Sequence, residues 1–168
     1  TLSKDMYIYG KTIIEGGQLI VDGSKINLSS YDVEANEGSI TIQNGGKLTT
    51  KNLTYTDGGN ATLGITGANS TLSTGNLYIG SNAASGVIDN GIIELSGNLT
   101  VKNTGTAGSF TPSGENVVKF QNTNAMPIVT FDDDTSYINK LDTNTNIYIT
   151  GSTYKGELTG YGTVYTKD

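Results

Sequence analysis

The chain has 168 residues, a net charge of −6, no histidine and no cysteine, and all ten of its basic residues are lysine. These absences exclude thiolate and imidazole catalysis, the Ser-His-Asp triad, and zinc, copper, iron–sulfur and haem sites, since each of these needs Cys or His. The excess of acid over base argues against nucleic acids and anionic membranes as partners, because both are bound through positive charge.

Short segments that alternate apolar and polar residues, closed by Gly, Asn or Asp, follow one another along the first hundred residues. This alternation indicates β-strands, and no stretch shows the spacing of an amphipathic helix. In chain order the segments are "QLIVDG" (18–23), "KINLSSYDVEA" (25–35), "SITIQNG" (39–45), "KLTTKNLTYTD" (47–57), "ATLGITG" (61–67), "TLSTGNLYIGS" (71–81) and "IIELSGNLTVK" (92–102).

The segments recur with a period of about 22 to 24 residues, and each period holds about three short strands. Such a period predicts an all-β fold, a parallel β-helix or β-solenoid, in which each strand pairs with its counterpart in the next coil. An antiparallel sandwich or barrel is the alternative, because short strands with Gly-Asn turns also form hairpins. We expect the inward side chains to be Leu19, Val21, Ile26, Leu28, Ile40, Ile42, Leu48, Leu53, Tyr55, Leu63, Ile65, Leu72, Leu77, Ile79, Ile93, Leu95, Leu99 and Val101.

Aligning the coils also predicts what lies at the corners and on the outside. The amides of Asn52, Asn76, Asn98 and Asn146 are expected to stack as a ladder at one corner. The alignment sets Tyr31 over Leu53 and gives Tyr78 and Tyr148 the same outward position, which Asp32, Thr54 and Thr100 also occupy. Tyr31, Tyr78 and Tyr148 are the candidate ligand-binding residues, because exposed tyrosines stack on sugar rings. The alternative is that Tyr simply favours an exposed strand.

We expect a single β-solenoid domain over residues 1–168, as a fragment of a larger protein with flanking domains in the same chain. Residues 1–102 form its regular coils, while residues 103–168 are less regular and carry a decorating loop (103–116) and a C-terminal end. No apolar run reaches the roughly 18 residues of a membrane span, so membrane insertion is not expected. Thr1 does not open a secretory signal, so a signal for export would lie outside the sequence.

Three consecutive carboxylates, Asp132, Asp133 and Asp134, form the strongest acidic feature. The preferred interpretation is a solvated turn, because Asp is a common turn residue. A calcium site is the alternative, since calcium binds oxygen ligands, and it would be the one cofactor expected. Catalysis by this group is a third possibility, because glycosidases use paired carboxylates.

Two stretches carry a family resemblance: the "GGxLxVxGxxxxL" pattern, which starts at Gly16, and "GENVVKFQNTNAMPIVTFDDDTSYINKLDTNTNIYITG" (114–151). They resemble repeat regions of secreted bacterial β-solenoid surface proteins, including filamentous adhesins, autotransporter passengers and cellulose-adhering tāpirin-type proteins. The resemblance implies export, a place at the bacterial cell surface, and contact with a polysaccharide or a host surface.

The sequence therefore favours a non-enzymatic extracellular β-solenoid that acts as an adhesin or a structural segment. One alternative is a domain that binds cellulose or other plant cell-wall polysaccharides. The other is a calcium-dependent polysaccharide lyase or hydrolase.

Overall fold

The computed structural model describes residues 1, 4–102, 110–121, 125–132, 135–151 and 157–167. Over these residues the chain contains no helix and 59% strand, arranged as a parallel β-solenoid of about six turns with about 22 residues in each coil. No helix in the described ranges is long and apolar enough to span a membrane. The alternating sequence pattern thus produces the predicted all-β fold.

Fifteen strands form one continuous sheet that bends around the coils. They are β1 (Met6–Tyr7), β2 (Thr12–Asp22), β3 (Lys25–Gln43), β4 (Lys47–Tyr55), β5 (Thr62–Ile65), β6 (Thr71–Ile79), β7 (Ala84–Ile88), β8 (Ile92–Leu95), β9 (Leu99–Val101), β10 (Val117–Phe120), β11 (Ile128–Phe131), β12 (Lys140–Thr143), β13 (Ile147–Gly151), β14 (Leu158–Thr159) and β15 (Val164–Lys167).

The strands form three faces, and the longest strands bend around a corner so that one strand serves two or three faces. The first face stacks β1, β3, β4, β6, β8, β10, β12 and β14 in that order. The second face stacks β2, β3, β4, β6, β9, β11, β13 and β15, and the third stacks the ends of β2 and β3 with β5 and β7. Every one of these pairs is parallel, which is incompatible with the hairpins of a sandwich or barrel.

The core is a thin column of like side chains stacked from coil to coil. On the first face, for example, Ile26 stacks on Leu48, Leu48 on Leu72, and Leu72 on Ile93, and all four are at most 1% exposed. All the predicted inward residues are buried except Leu19, which is partly buried in the first coil. Each of the fully buried aliphatic side chains stabilises the fold by roughly 1.5 to 3 kcal/mol.

The predicted asparagine ladder exists at the corner between the first and second faces. The Asn76 amide Nδ2 donates to Asn52 Oδ1 at 2.8 Å, and the Asn98 backbone N–H donates to Asn76 Oδ1 at 2.7 Å. The ladder begins at Asp32, which accepts a bond from Asn52 Nδ2 at 2.9 Å, and it ends where the Ile128 N–H donates to Asn98 Oδ1.

The glycine that precedes Asn98 makes room for this ladder. A Cβ atom built on Gly97 would lie 2.4 Å from Asn76 Oδ1 and 2.9 Å from the Gly75 carbonyl oxygen. Because real Cβ atoms do not approach other atoms so closely, the Gly-Asn sequence at this corner follows from the stacking of one coil on the next.

Two of the predicted alignments are wrong, and both concern candidate tyrosines. Tyr31 does not stack on Leu53, because Val33 does, and the register shifts between Leu28 and Asp32. The second coil has three residues at this corner, Ser29, Ser30 and Tyr31, where the next coil has only Lys51. The longer corner absorbs the extra residues, so Glu34, rather than Asp32, occupies the outward position beside Thr54.

Tyr148 is likewise displaced by two residues from its predicted position. Leu99 pairs with Val129 and Val129 with Ile149, so Tyr148 stacks on Ile128 at the end of the ladder column, and Thr150 takes the place that corresponds to Tyr78. Asn146 consequently lies outside the ladder column. Its Oδ1 accepts the backbone N–H of Thr163 at 3.0 Å, which is the same kind of bond to the following coil.

Candidate functional site

Four polar side chains meet where strands of the second face end in successive coils. Asp57 follows β4, Tyr78 lies near the end of β6, Lys102 follows β9 and Asp132 follows β11. We call these four residues the corner cluster. The cluster is built by the repeat itself, since each coil places one side chain at the same corner.

Two pairs of contacts hold the corner cluster together. The Tyr78 hydroxyl donates to the Asp57 carboxylate at 3.0 Å from each oxygen, and the Ser81 backbone N–H donates to Asp57 Oδ1 at 2.9 Å. Lys102 Nζ lies 3.0 Å from Asp132 Oδ2. Each charged or acidic group therefore already has a partner within the protein.

Three groups of the corner cluster have pKa values that are shifted further from neutral pH than their ordinary values. The Ser81 N–H and then the Tyr78 hydroxyl hold the pKa of Asp57 below its ordinary value. Burial, and then the bond to Asp57, raises the pKa of Tyr78, while the bond to Asp132 raises that of Lys102. A general acid or base works best with a pKa near the working pH, so these shifts make all three groups poorer proton-transfer groups.

Of the three consecutive aspartates, only Asp132 lies in the part of the chain that the structure describes; Asp133 and Asp134 lie outside it. Asp132 is exposed and ion-paired with Lys102. Within the described ranges, no group of three or more Asp, Glu, His or Cys side chains is placed to hold a metal ion.

The structure does not bring the three candidate tyrosines together on one surface. Tyr31 lies in the second coil, where it lines a groove of about 240 Å³ with Tyr7 and Tyr9. Tyr78 belongs to the corner cluster. Its partly buried ring and bonded hydroxyl leave it less free to bind a ligand.

Tyr148 instead pairs with a tyrosine that the sequence did not single out for ligand binding. Its ring centroid lies 5.2 Å from that of Tyr165 in the next coil, with 34° between the ring planes. Both rings are exposed, by 38% and 42%, and Ile128 extends the same outward column by one coil. We call Tyr148 and Tyr165 the tyrosine pair.

A second surface feature, also unsuspected from the sequence, is a groove of about 550 Å³ at the corner between the first and second faces. It runs across successive coils rather than along a strand. Residues from five coils line it, most of them small and polar: Ser29, Thr49, Thr50, Lys51, Ser73, Thr74, Gly75, Glu94, Leu95, Ser96 and Gln121. We call it the hydroxyl groove.

Comparisons with protein-family models, with curated protein sequences and with solved structures give no match for this chain. The candidate functional surfaces of the chain are the corner cluster, the tyrosine pair and the hydroxyl groove.

Proposed function

We propose that this chain is a non-enzymatic segment of a bacterial cell-surface protein, in which the β-solenoid acts as an adhesin or a structural element. The main observation in favour of this proposal is that the charged and polar groups of the corner cluster are paired with one another. Asp57 and Tyr78 form one pair and Lys102 and Asp132 form another, each bridging different coils. Groups arranged in this way join neighbouring coils and are not held ready for proton transfer.

Catalysis by the corner cluster would need the opposite shifts in pKa. A lyase that removes a proton requires a base with a lowered pKa if the base is Lys or Tyr, and the pKa values of Lys102 and Tyr78 are both raised. A hydrolase requires one carboxyl with a raised pKa as the acid, and that of Asp57 is lowered. These directions favour a structural role for the cluster.

An activity assay tests the non-enzymatic part of the proposal. The full chain is incubated with cellulose, xylan and pectin, with calcium or with a chelator, and the release of reducing and unsaturated sugar is measured. We expect no release above the protein-free control. Calcium-dependent release that is lost in Asp132→Asn would support the lyase or hydrolase alternative and reject the proposal.

Adhesion is tested with beads that carry the full chain. Retention on a polysaccharide film or on host cells under flow, compared with beads that carry a non-solenoid protein of similar pI, would support an adhesin. Retention equal to that control would assign the segment a structural role, and the adhesin role would be rejected.

Polysaccharide binding is the second candidate function, and the tyrosine pair is the observation that favours it. Two exposed aromatic rings in adjacent coils, with centroids 5.2 Å apart, offer apolar faces and hydroxyl groups, which suits contact with sugar rings. Binding through the pair predicts that Tyr148→Ala and Tyr165→Ala each reduce retention on xylan or cellulose. Tyr161→Ala, at a tyrosine that is 98% exposed and outside the pair, is the matched control.

A further inference from the structure

The hydroxyl groove differs from the asparagine ladder and the corner cluster in that several of its polar side chains are left without partners. In the ladder one residue away, Asn52 and Asn76 bond to each other, and in the corner cluster every group is paired. By contrast, the side-chain hydroxyls of Thr49, Ser73 and Ser96 bond to no group in the described ranges, and neither does the Lys51 ammonium. The groove therefore offers hydrogen-bonding groups that the fold itself does not use.

The floor of the groove is fixed by bonds that point into the corner. The Thr50 hydroxyl donates to the Asn52 carbonyl at 2.6 Å, and the Thr74 hydroxyl donates to the Asn76 carbonyl at 3.1 Å. Both threonines are nearly fully buried. The unused hydroxyls of Thr49 and Ser73 are thus held on a preorganised surface, which lowers the entropic cost of binding a ligand.

The direction of the groove determines what shape of ligand can bind there. It crosses coils that are about 4.8 Å apart, so the hydroxyls of Thr49 and Ser73, which pair in adjacent coils, lie at about that spacing along the solenoid axis. In the next coil Glu94 occupies this column, and Ser96 follows it two residues later. The strands beside it, β4 and β6, are hydrogen-bonded to neighbours on both sides, so no free strand edge is available to an extended peptide. A long ligand with polar groups at every unit fits this surface.

The charges in and around the groove determine which class of ligand can bind there. Its lining contains one ammonium, on Lys51, and one carboxylate, on Glu94, which lies 4.0 Å from Lys47 just outside the groove. The chain as a whole carries −6 and would repel a polyanion. Leu95 is the one apolar side chain in the lining, so an apolar ligand would gain little.

We propose that the hydroxyl groove binds a neutral polysaccharide that lies along the solenoid axis, with Thr49, Ser73 and Ser96 as its hydrogen-bonding residues. This inference rests on the second candidate function and gives it a different site from the tyrosine pair.

Affinity electrophoresis of the full chain tests the inference, with soluble xylan and hydroxyethyl cellulose as neutral probes and polygalacturonate as the anionic probe. The groove variant is Thr49→Val/Ser73→Ala/Ser96→Ala. The control variant is Thr54→Val/Thr100→Val, whose changes lie on the outward side of the second face. Far-UV circular dichroism and melting temperature establish that both variants fold.

We expect a neutral probe to retard the parent chain and the control variant, and the groove variant to bind it at least about tenfold more weakly, because three hydrogen bonds are lost. Unchanged binding in the groove variant, with loss in Tyr148→Ala, would overturn the groove as the site and leave the second candidate function standing. Retardation by neither neutral probe would overturn both. Retardation by polygalacturonate alone would overturn the choice of a neutral ligand.

Discussion

Tyr55 offers a sharp test of how the core is built, because its ring belongs in the core and its hydroxyl does not. The side chain is fully buried, between Ala35 and Ile79 of the neighbouring coils, and its hydroxyl has no hydrogen-bond partner in the part of the chain that the structure describes. A buried polar group without a partner costs about 1 to 3 kcal/mol. We therefore predict that Tyr55→Phe stabilises the protein.

The size of the effect follows from two opposing terms. Removing the hydroxyl relieves the desolvation cost of about 1 to 3 kcal/mol. The void that a single oxygen leaves costs only a few tenths of a kcal/mol, roughly 24 cal/mol for each cubic ångström. The net gain is about 1 to 2 kcal/mol, and each kcal/mol raises the melting temperature by about 2 to 4 °C in a chain of this size.

The pH dependence gives a second signature of the same group. Burial raises the pKa of Tyr55 well above its ordinary value of 10.0. Above about pH 10 the unfolded chain releases this proton and the folded chain keeps it, so the free energy of unfolding falls as the pH rises further. Tyr55→Phe removes this loss, and its advantage over the parent chain should grow above that pH.

Guanidinium chloride unfolding, followed by far-UV circular dichroism at pH 7 and pH 10.5, measures both effects. Tyr78→Phe is the matched control, because the Tyr78 hydroxyl is bonded to Asp57 and its removal should lower stability. If Tyr55→Phe is no more stable than the parent chain at pH 7, the Tyr55 hydroxyl is not a buried group without a partner and instead bonds to a partner such as an internal water.

Three further predictions concern the links between coils. Asn76→Ala should destabilise the fold by about 1 to 3 kcal/mol, because it removes the bond to Asn52 and leaves the Asn98 N–H without its acceptor; an unchanged denaturation midpoint would contradict the ladder. Gly97→Ala should lower the melting temperature at least as much as Asn76→Ala does, because its Cβ would clash with the coil below. A melting temperature equal to that of the parent chain would show that the coils move apart at no cost in stability. Asp57→Asn should reduce the loss of stability that the parent shows as the pH falls below about 4. The lowered pKa of Asp57 keeps it charged in the fold while the unfolded chain takes up a proton, and the variant lacks this difference. Identical acid titrations of the two proteins would count against the corner cluster.

The register between coils is predicted correctly from the sequence in some coils and wrongly in others. In three successive coils, Leu53, Leu77 and Leu99 stack as predicted, because alternation fixes which side chains face inward and a one-residue slip would expose them all. The prediction is wrong for Tyr31 and Tyr148. Extra residues at a corner change the register without changing the inward and outward pattern, so periodicity alone cannot detect them.

The candidate sites, too, are only partly recognisable from the sequence. Tyr148 is recognisable from the sequence as an outward aromatic residue, but its partner Tyr165 lies 17 residues away in a coil shorter than the repeat period. Asp57 and Lys102 are ordinary turn residues in the sequence and become part of a cluster only because successive coils place them at the same corner.

The all-β solenoid, its inward residues and the Gly-Asn corner follow from the amino-acid sequence, because alternation and a regular period act locally and repeat in every coil. Which outward side chains become neighbours depends on how the coils stack. Those contacts run between coils, across 17 or more residues of chain, and they depend on the length of each corner. The tyrosine pair, the corner cluster and the hydroxyl groove are all contacts of this kind, so the candidate sites emerge only when the coils are stacked.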